Sequence, residues 1–236
     1  MIKQAMILGA GFGKRLHPLT INQPKPLLKI GHDNLLSNTL KFLELYGIKQ
    51  VVINVHYLKE QIIDYIKKNK FNLTIKIIEE KEKILNTGGG VLNAIQHFSN
   101  LPFLIVNPDT VWKSQYLREL QLMEKYFFEN KKIKCSILVV NKKKSFDKSF
   151  KGDFNLRNNL IRRDKEDDLK YIYTGLQIIK PEVFSGVDKR IFSINKVWDK
   201  LIKDKELRGI ESNINFLHIS NLNVYKVLAE KYLHIK

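Results

Sequence analysis

The chain has 236 residues, with 41 Lys+Arg against 24 Asp+Glu and a formal net charge of +17. Hydrophobic residues at 44% and aromatics at 10% exclude a disordered or low-complexity protein, and no run approaches the ~20 apolar residues of a membrane-spanning helix. Cys135 is the single cysteine, which excludes an intramolecular disulfide and a Cys-rich zinc site. Met1 leads straight into a strand-like run without an apolar segment and cleavage site, so a cytoplasmic location is expected.

In chain order, Gln4-Ala5-Met6-Ile7-Leu8 predicts a first strand that stops at a glycine loop. Val51 to Val55 is rich in β-branched residues and predicts a buried strand. Leu58, Ile62, Tyr65 and Ile66 then share one helical face, and Leu73 to Ile78 predicts another strand. Phe103 to Val106 is a further strand, ending at Asn107-Pro108-Asp109. Residues 114–129 have helical spacing, Cys135 to Val140 and Tyr171 to Ile179 read as strands, and Asn195 to Lys203 reads as a helix. The basic, Asn-rich stretch 141–170 is the expected excursion from this pattern. Alternation of this kind predicts an α/β fold with a mostly parallel central sheet, in one domain spanning 1–236.

The positive charge invites a nucleic-acid reading, because Lys and Arg neutralise phosphates. Yet 34 of the 41 basic residues are Lys, and Asn numbers 20, the pattern of an AT-rich coding sequence. The densest part, residues 129–165, holds 12 Lys/Arg against 4 Asp/Glu. No helix-turn-helix, zinc finger or RNP-type motif accompanies it. Solvated surface and attraction of small anionic substrates are the expected uses of this charge, and neither a nucleic acid nor a membrane is an expected partner.

Residues 8–27 read LGAGFGKRLHPLTINQPKPL. Gly9, Gly11 and Gly13 let backbone amides approach an anion without interference from Cβ. A Walker A loop would need Ser or Thr after Gly13-Lys14, where Arg15 stands. A Rossmann fingerprint would need glycine at Lys14 and a helix directly after it, and Pro18, Pro24 and Pro26 oppose that helix. Two cations, Arg15 and Lys25, held near a glycine nest in a proline-stiffened loop suit a triphosphate. Asp109, at the carboxyl end of a buried strand, is placed for a hard divalent cation shared with phosphates.

This opening closely resembles the signature GxGxRxxPLTxxxPKPL of the sugar-1-phosphate nucleotidyltransferases. The resemblance extends over most of the chain. Asn86-Thr87-Gly88-Gly89-Gly90-Val91 looks like the second glycine loop of that family, and its TGGG form is similar to the N-acetylmuramate-1-phosphate uridylyltransferase branch. Val106-Asn107-Pro108-Asp109, Lys151-Gly152-Asp153-Phe154, Tyr173-Thr174-Gly175 and the segment Phe192 to Asp199 match stretches of that branch in order.

The resemblance implies a Rossmann-like, GT-A-like three-layer sandwich. It also implies Mg²⁺-dependent attack of a sugar-1-phosphate on the α-phosphorus of a nucleoside triphosphate, with pyrophosphate leaving. By resemblance, Gly9, Ala10, Gly11 and Gly13 line the nucleotide, and Thr87, Gly88 and Gly89 approach its base. Arg15 clamps the β- and γ-phosphates, and Lys25 lies between the α-phosphate and the sugar phosphate. Asp109 is the implied metal ligand. Asp153, Gly175 and Asn195 lie where relatives grip the sugar.

The pattern departs at the second metal position. Relatives there carry W-x-D-x-G-T, and this chain has Phe216-Leu217-His218-Ile219-Ser220-Asn221, with His218 in place of the Asp. Imidazole suits softer ions than Mg²⁺, so His218 is either a substitute ligand, a phosphate hydrogen-bond donor or a plain strand residue. UTP and N-acetylmuramate-1-phosphate, in cell-wall sugar recycling, are the substrates the resemblance favours. A GTP-dependent mannose- or heptose-phosphate enzyme, or a non-catalytic sugar-nucleotide binder, remains open. No hexapeptide repeat is present, so a fused acetyltransferase is not expected.

Overall fold

A computed structural model describes residues 1–163, 168–188 and 190–233. Residues 164–167 of the basic excursion lie outside the described residues. The elements in chain order are β1 (Gln4–Leu8), β2 (Lys29–Ile30), β3 (Asp33–Asn34), α1 (Leu35–Tyr46), β4 (Gln50–Val55), α2 (Lys59–Lys68), β5 (Thr74–Glu79), α3 (Asn86–Ile95), β6 (Phe103–Val106) and α4 (Gln115–Glu129). They continue with β7 (Cys135–Asn141), β8 (Asn155–Arg157), β9 (Leu160–Arg162), β10 (Tyr171–Ile179), α5 (Asn195–Lys203), β11 (Leu207–Ser212) and α6 (Leu222–Leu233).

A nine-stranded sheet has the order β5-β4-β1-β6-β10-β7-β11-β9-β8. From the pairings, β9 and β10 run against the other seven strands, so the sheet is mostly parallel. Its strands are apolar on both faces because helices cover both. Ala5 and Ile7 of β1, Val51 and Ile53 of β4, and Leu104 and Val106 of β6 pack with α1 and α4 residues such as Leu40 and Leu120. Met6, Val52 and Ile105 point the other way and pack with Val91 of α3 and Trp198 of α5. The three-layer α/β fold follows directly from this alternation.

Several elements exceed the expectation. Helix α1 is capped at its start by Asn34, whose side chain accepts from the Ser37 N–H, and at its end by Gly47 in the left-handed region. The TGGG segment, expected as a loop, is the first turn of α3. The edge strands β8 and β9 sit inside the basic excursion, and β11 pairs with β7 along six residues. Helix α6 packs on the β2–β3 hairpin, with Leu228 buried among Leu28, Ile30 and Leu35.

In sequence β1 leads to β4 and β5 on one side, and the chain then crosses to β6 on the other. The carboxyl end of β1 is therefore a topological switch point, the place where open α/β sheets form a crevice for ligands.

Candidate active site

The crevice is a cleft of about 410 Å³ lined by the first loop (Gly9 to Gly11 and Gly13 to Leu16), by Lys25, by Asn54 and Glu80, by Asn86 and Thr87, and by Asn107 to Asp109. The predicted Gly9–Arg15 loop, Lys25, Thr87 and Asp109 thus meet in one cleft at the carboxyl end of the sheet, with Asn54 and Glu80 from the ends of β4 and β5 beside them.

In the first loop, Gly9 lies so close to β4 that a Cβ would fall 2.8 Å from the Asn54 carbonyl oxygen. Gly13 adopts φ +67°, which glycine enters without the penalty other residues meet, and begins the tight turn Lys14–Leu16. The Leu16 N–H and the Thr20 hydroxyl both donate to the Gly13 carbonyl, at 2.8 and 2.9 Å. That folds the loop back and leaves Arg15 exposed on the cleft wall. Gly11 faces open space.

Lys25 starts a second short turn, with Pro24 before it and buried Pro26 after it. Its Nζ lies 2.6 Å from Asp109 Oδ2, and the two side chains are only 14% and 19% exposed. Asp109 is held by a turn anchored on both flanks. The Asn107 N–H donates to the Gly175 carbonyl, the Thr110 hydroxyl donates to the Thr174 carbonyl, and the Ile219 N–H donates to the Asp109 carbonyl. Burial raises the Asp109 carboxyl pKa, but attraction to His218 and Lys25 outweighs it and holds the group at about 2. At neutral pH burial, which pushes His218 down to about 4, leaves its imidazole uncharged, and Lys25 is then the cation facing the Asp109 carboxylate.

His218 lies behind Asp109 rather than in the cleft lining. Its Nδ1 is 3.5 Å from Asp109 Oδ1, and its ring stacks on Phe216 with Phe150 at its edge. These two aromatic contacts and a strand bridge to Thr110 hold it there, so in this structure it supports Asp109 from the rear. Ser220 is the residue of this segment that reaches the cleft.

Divalent-metal binding can be tested on the donor set. Asp109 Oδ1 and Asn107 Oδ1 are buried oxygens without a hydrogen-bond partner, and both residues line the cleft. No group of three or more His, Cys, Asp or Glu able to hold a metal occurs among the described residues. One carboxylate and an amide oxygen fit Mg²⁺, which keeps waters and takes further oxygens from phosphates.

The second glycine run departs from expectation. Thr87 lines the cleft, and its hydroxyl accepts from the Ile194 N–H at 2.9 Å. Gly88 and Gly89 are buried and do not line it; their N–H groups donate to the Phe192 carbonyl at 2.9 and 3.1 Å. A Cβ on Gly88 would lie 2.4 Å from the Phe192 ring, and one on Gly89 would lie 2.0 Å from the Arg190 carbonyl. These glycines admit the segment before α5.

The residues expected at the sugar also stand outside the cleft lining. Gly175, at φ +94°, interrupts the β10–β7 register and makes room for Asn107, whose Cβ would be 2.8 Å from a Cβ there. Arg163 links the other two: its Nε donates to the Asp153 carbonyl and its Nη2 to Asn195 Oδ1, at 3.3 and 3.0 Å. Asn54, Glu80 and Arg163 belong to no motif in the sequence. The signal at Asn54 was a lone amide inside the apolar run VVINV; Glu80 lay hidden in the charged run EEKEK.

The site defines a nucleotidyl-transfer class of protein, and comparison with known proteins agrees. The nucleotidyl transferase family model matches residues 4–147, and the chain belongs to that family. It is a nucleotidyltransferase enzyme. It is 25% identical to an N-acetylmuramate alpha-1-phosphate uridylyltransferase of Caulobacter vibrioides, over 98% of this chain and 97% of the other. A protein of the same description from Neisseria meningitidis serogroup B is 30% identical over 78% of both chains. The chain spans 50% of the length of the bifunctional protein GlmU of Methanococcus vannielii. In structure it is similar to HddC from Yersinia pseudotuberculosis, with a TM-score of 0.76, 21% identity and coverage of 98% and 100% of the two chains.

Proposed function

We propose that this enzyme transfers a uridylyl group from UTP to a sugar-1-phosphate, N-acetylmuramate-1-phosphate being the favoured acceptor, in cytoplasmic cell-wall sugar recycling. The observation that carries the chemistry is the Lys25–Asp109 pair beside the Gly9–Gly13 loop. The choice of base and sugar rests on the two relatives described as uridylyltransferases.

In this reaction a phosphate oxygen of the sugar-1-phosphate forms a bond to the α-phosphorus, and the bond from that phosphorus to the bridging α–β oxygen breaks. Pyrophosphate leaves with the electron pair. Both reactants are anions, so the protein must neutralise, align and hold them. The loop amides around Gly11 and Gly13 receive phosphate oxygens, and Arg15 compensates the charge that develops on pyrophosphate. Lys25 stands between the two phosphates and screens their repulsion, while Asp109 holds the Lys25 ammonium until the substrates arrive. Asp109, with Asn107, would hold Mg²⁺, which supplies further charge neutralisation on the phosphates.

Asp153 and Asn195, drawn together by Arg163, form the outer contact region for the sugar in this proposal. The test is pyrophosphate release from UTP, GTP, CTP and dTTP, each with a panel of sugar-1-phosphates. Release with UTP and acylated amino-sugar phosphates supports the assignment. Release confined to GTP with mannose- or heptose-phosphates overturns it in favour of a guanylyltransferase, and nucleotide binding with no release for any pair indicates a non-catalytic binder.

A further inference from the structure

Asn54 and Glu80 line the cleft and have no part in the roles given above. Both are buried. Asn54 Oδ1 accepts from the Gly9 N–H at 3.0 Å, and its Nδ2 donates to Glu80 Oε1 at 2.7 Å. The other carboxylate oxygen, Oε2, accepts from the Leu85 N–H at 2.7 Å. Glu80 itself is pinned at the end of β5, where its N–H donates to the Val55 carbonyl at 2.9 Å. Space is cleared around the pair by Gly90, on which a Cβ would lie 2.8 Å from Asn54 Nδ2 and 3.0 Å from Glu80 Oε1.

Counting donors and acceptors leaves one solution. The Gly9 N–H needs an acceptor, which turns the Asn54 carbonyl oxygen towards it and its amide nitrogen towards Glu80. Position 80 then faces two donors, Asn54 Nδ2 and the Leu85 N–H, and must present two acceptors. A carboxylate does so. A carboxamide would set its own NH₂ against one of the two donors, and a buried unpaired donor is costly.

We infer that Glu80 is a positioning residue: through Asn54 it ties Gly9 of the first loop to Leu85, directly ahead of the Asn86–Thr87 turn. Both walls of the cleft thereby share one hydrogen-bonded strut, and the third glycine of TGGG exists to admit it. The carboxylate is required for its two acceptors rather than for its charge. The consequence for catalysis rests on the cleft being the nucleotide site.

The test uses the full chain with Glu80→Gln, and with the double variant Asn54→Asp/Glu80→Gln. In the double variant the new carboxylate at 54 accepts from the Gly9 N–H and from the new amide at 80, whose carbonyl accepts from the Leu85 N–H, so the strut is rebuilt with its polarity exchanged. Without ligand, Glu80→Gln should raise hydrogen exchange at both Gly9 and Leu85 by about tenfold or more, with β1 and β4 amides still protected. In turnover it should raise KM for the nucleotide by a similar factor while kcat and KM for the sugar phosphate change little. The double variant should recover most of both losses. Unchanged exchange at Gly9 in Glu80→Gln, or a double variant no better than the single one, overturns the inference. If the wild-type protein turns over no nucleotide, the proposed reaction falls while the exchange data still decide the strut.

Discussion

Lys25 Nζ and Asp109 Oδ2 stand 2.6 Å apart, joining the proline-stiffened loop after β1 to the turn after β6 across 84 residues of sequence. Both residues line the cleft. The pair is nearly closed to solvent, so its charges act in a medium less polarisable than water.

Lys25→Ala and Asp109→Asn should each lower kcat by about 10²–10³ through loss of a preorganised charge at the reacting phosphates. Pyrophosphate release measures this, and circular dichroism should show both variants folded. Turnover close to wild type in either variant would remove the role given to that residue.

Chelation of divalent ions should abolish turnover, and added Mg²⁺ should restore it. Asp109→Asn should need more Mg²⁺ than wild type for half of its own residual rate, because an amide oxygen is a weaker ligand for a hard cation than a carboxylate. A Mg²⁺ titration of pyrophosphate release checks this, and an unaltered midpoint would place the metal elsewhere.

The two glycine runs should respond in opposite ways to a single methyl group. Gly11 faces open space in the cleft, so Gly11→Ala should leave the melting temperature unchanged and weaken nucleotide binding. On Gly89 the added Cβ would lie 2.0 Å from a backbone carbonyl, so Gly89→Ala should destabilise the fold by about 1–3 kcal/mol or more. Thermal melts with and without nucleotide separate the two effects. A Gly89→Ala protein as stable as wild type would contradict the packing role.

His218 predicts an acid-side loss of stability. Its folded pKa, about 4, lies below the ordinary 6.5 because burial disfavours the cation. Between those values the unfolded chain binds the proton and the folded one does not, so stability falls as pH drops from 6.5 towards 4. The loss assigned to Asp109, whose carboxyl is held at about 2, falls at still lower pH. Urea unfolding at pH 7, 5.5 and 4.5 should show a shallower decline for His218→Gln than for wild type. Parallel curves would mean that His218 titrates normally.

Much of the scaffold was legible in chain order. The runs Gln4–Leu8 and Phe103–Val106 are strands with the expected bounds, and Asn195–Lys203 is the expected helix. These elements carry their own local signal: apolar runs of strand length, or a 3.6-residue stripe. Three consecutive glycines disfavour a helix at α3; tertiary neighbours that leave no room for Cβ override that preference. Strand β11 carries no local signal, because LRGIES mixes charge and glycine, and its pairing with β7 lies about 70 residues away in sequence.

The sequence by itself determined the chemistry: a glycine loop, Arg15 and Lys25 between prolines, and Asp109 closing an apolar strand are local patterns whose residue types imply phosphate binding. The positive charge, so prominent in the composition, had little part in that. Only the tertiary structure decided which glycines face the open cleft and which face protein, that His218 stands behind Asp109, and that Glu80 and Asn54 brace the two loops. Those outcomes depend on atoms far apart in sequence meeting within a few ångströms, where one methyl group or one mismatched donor is enough to decide what a residue can do.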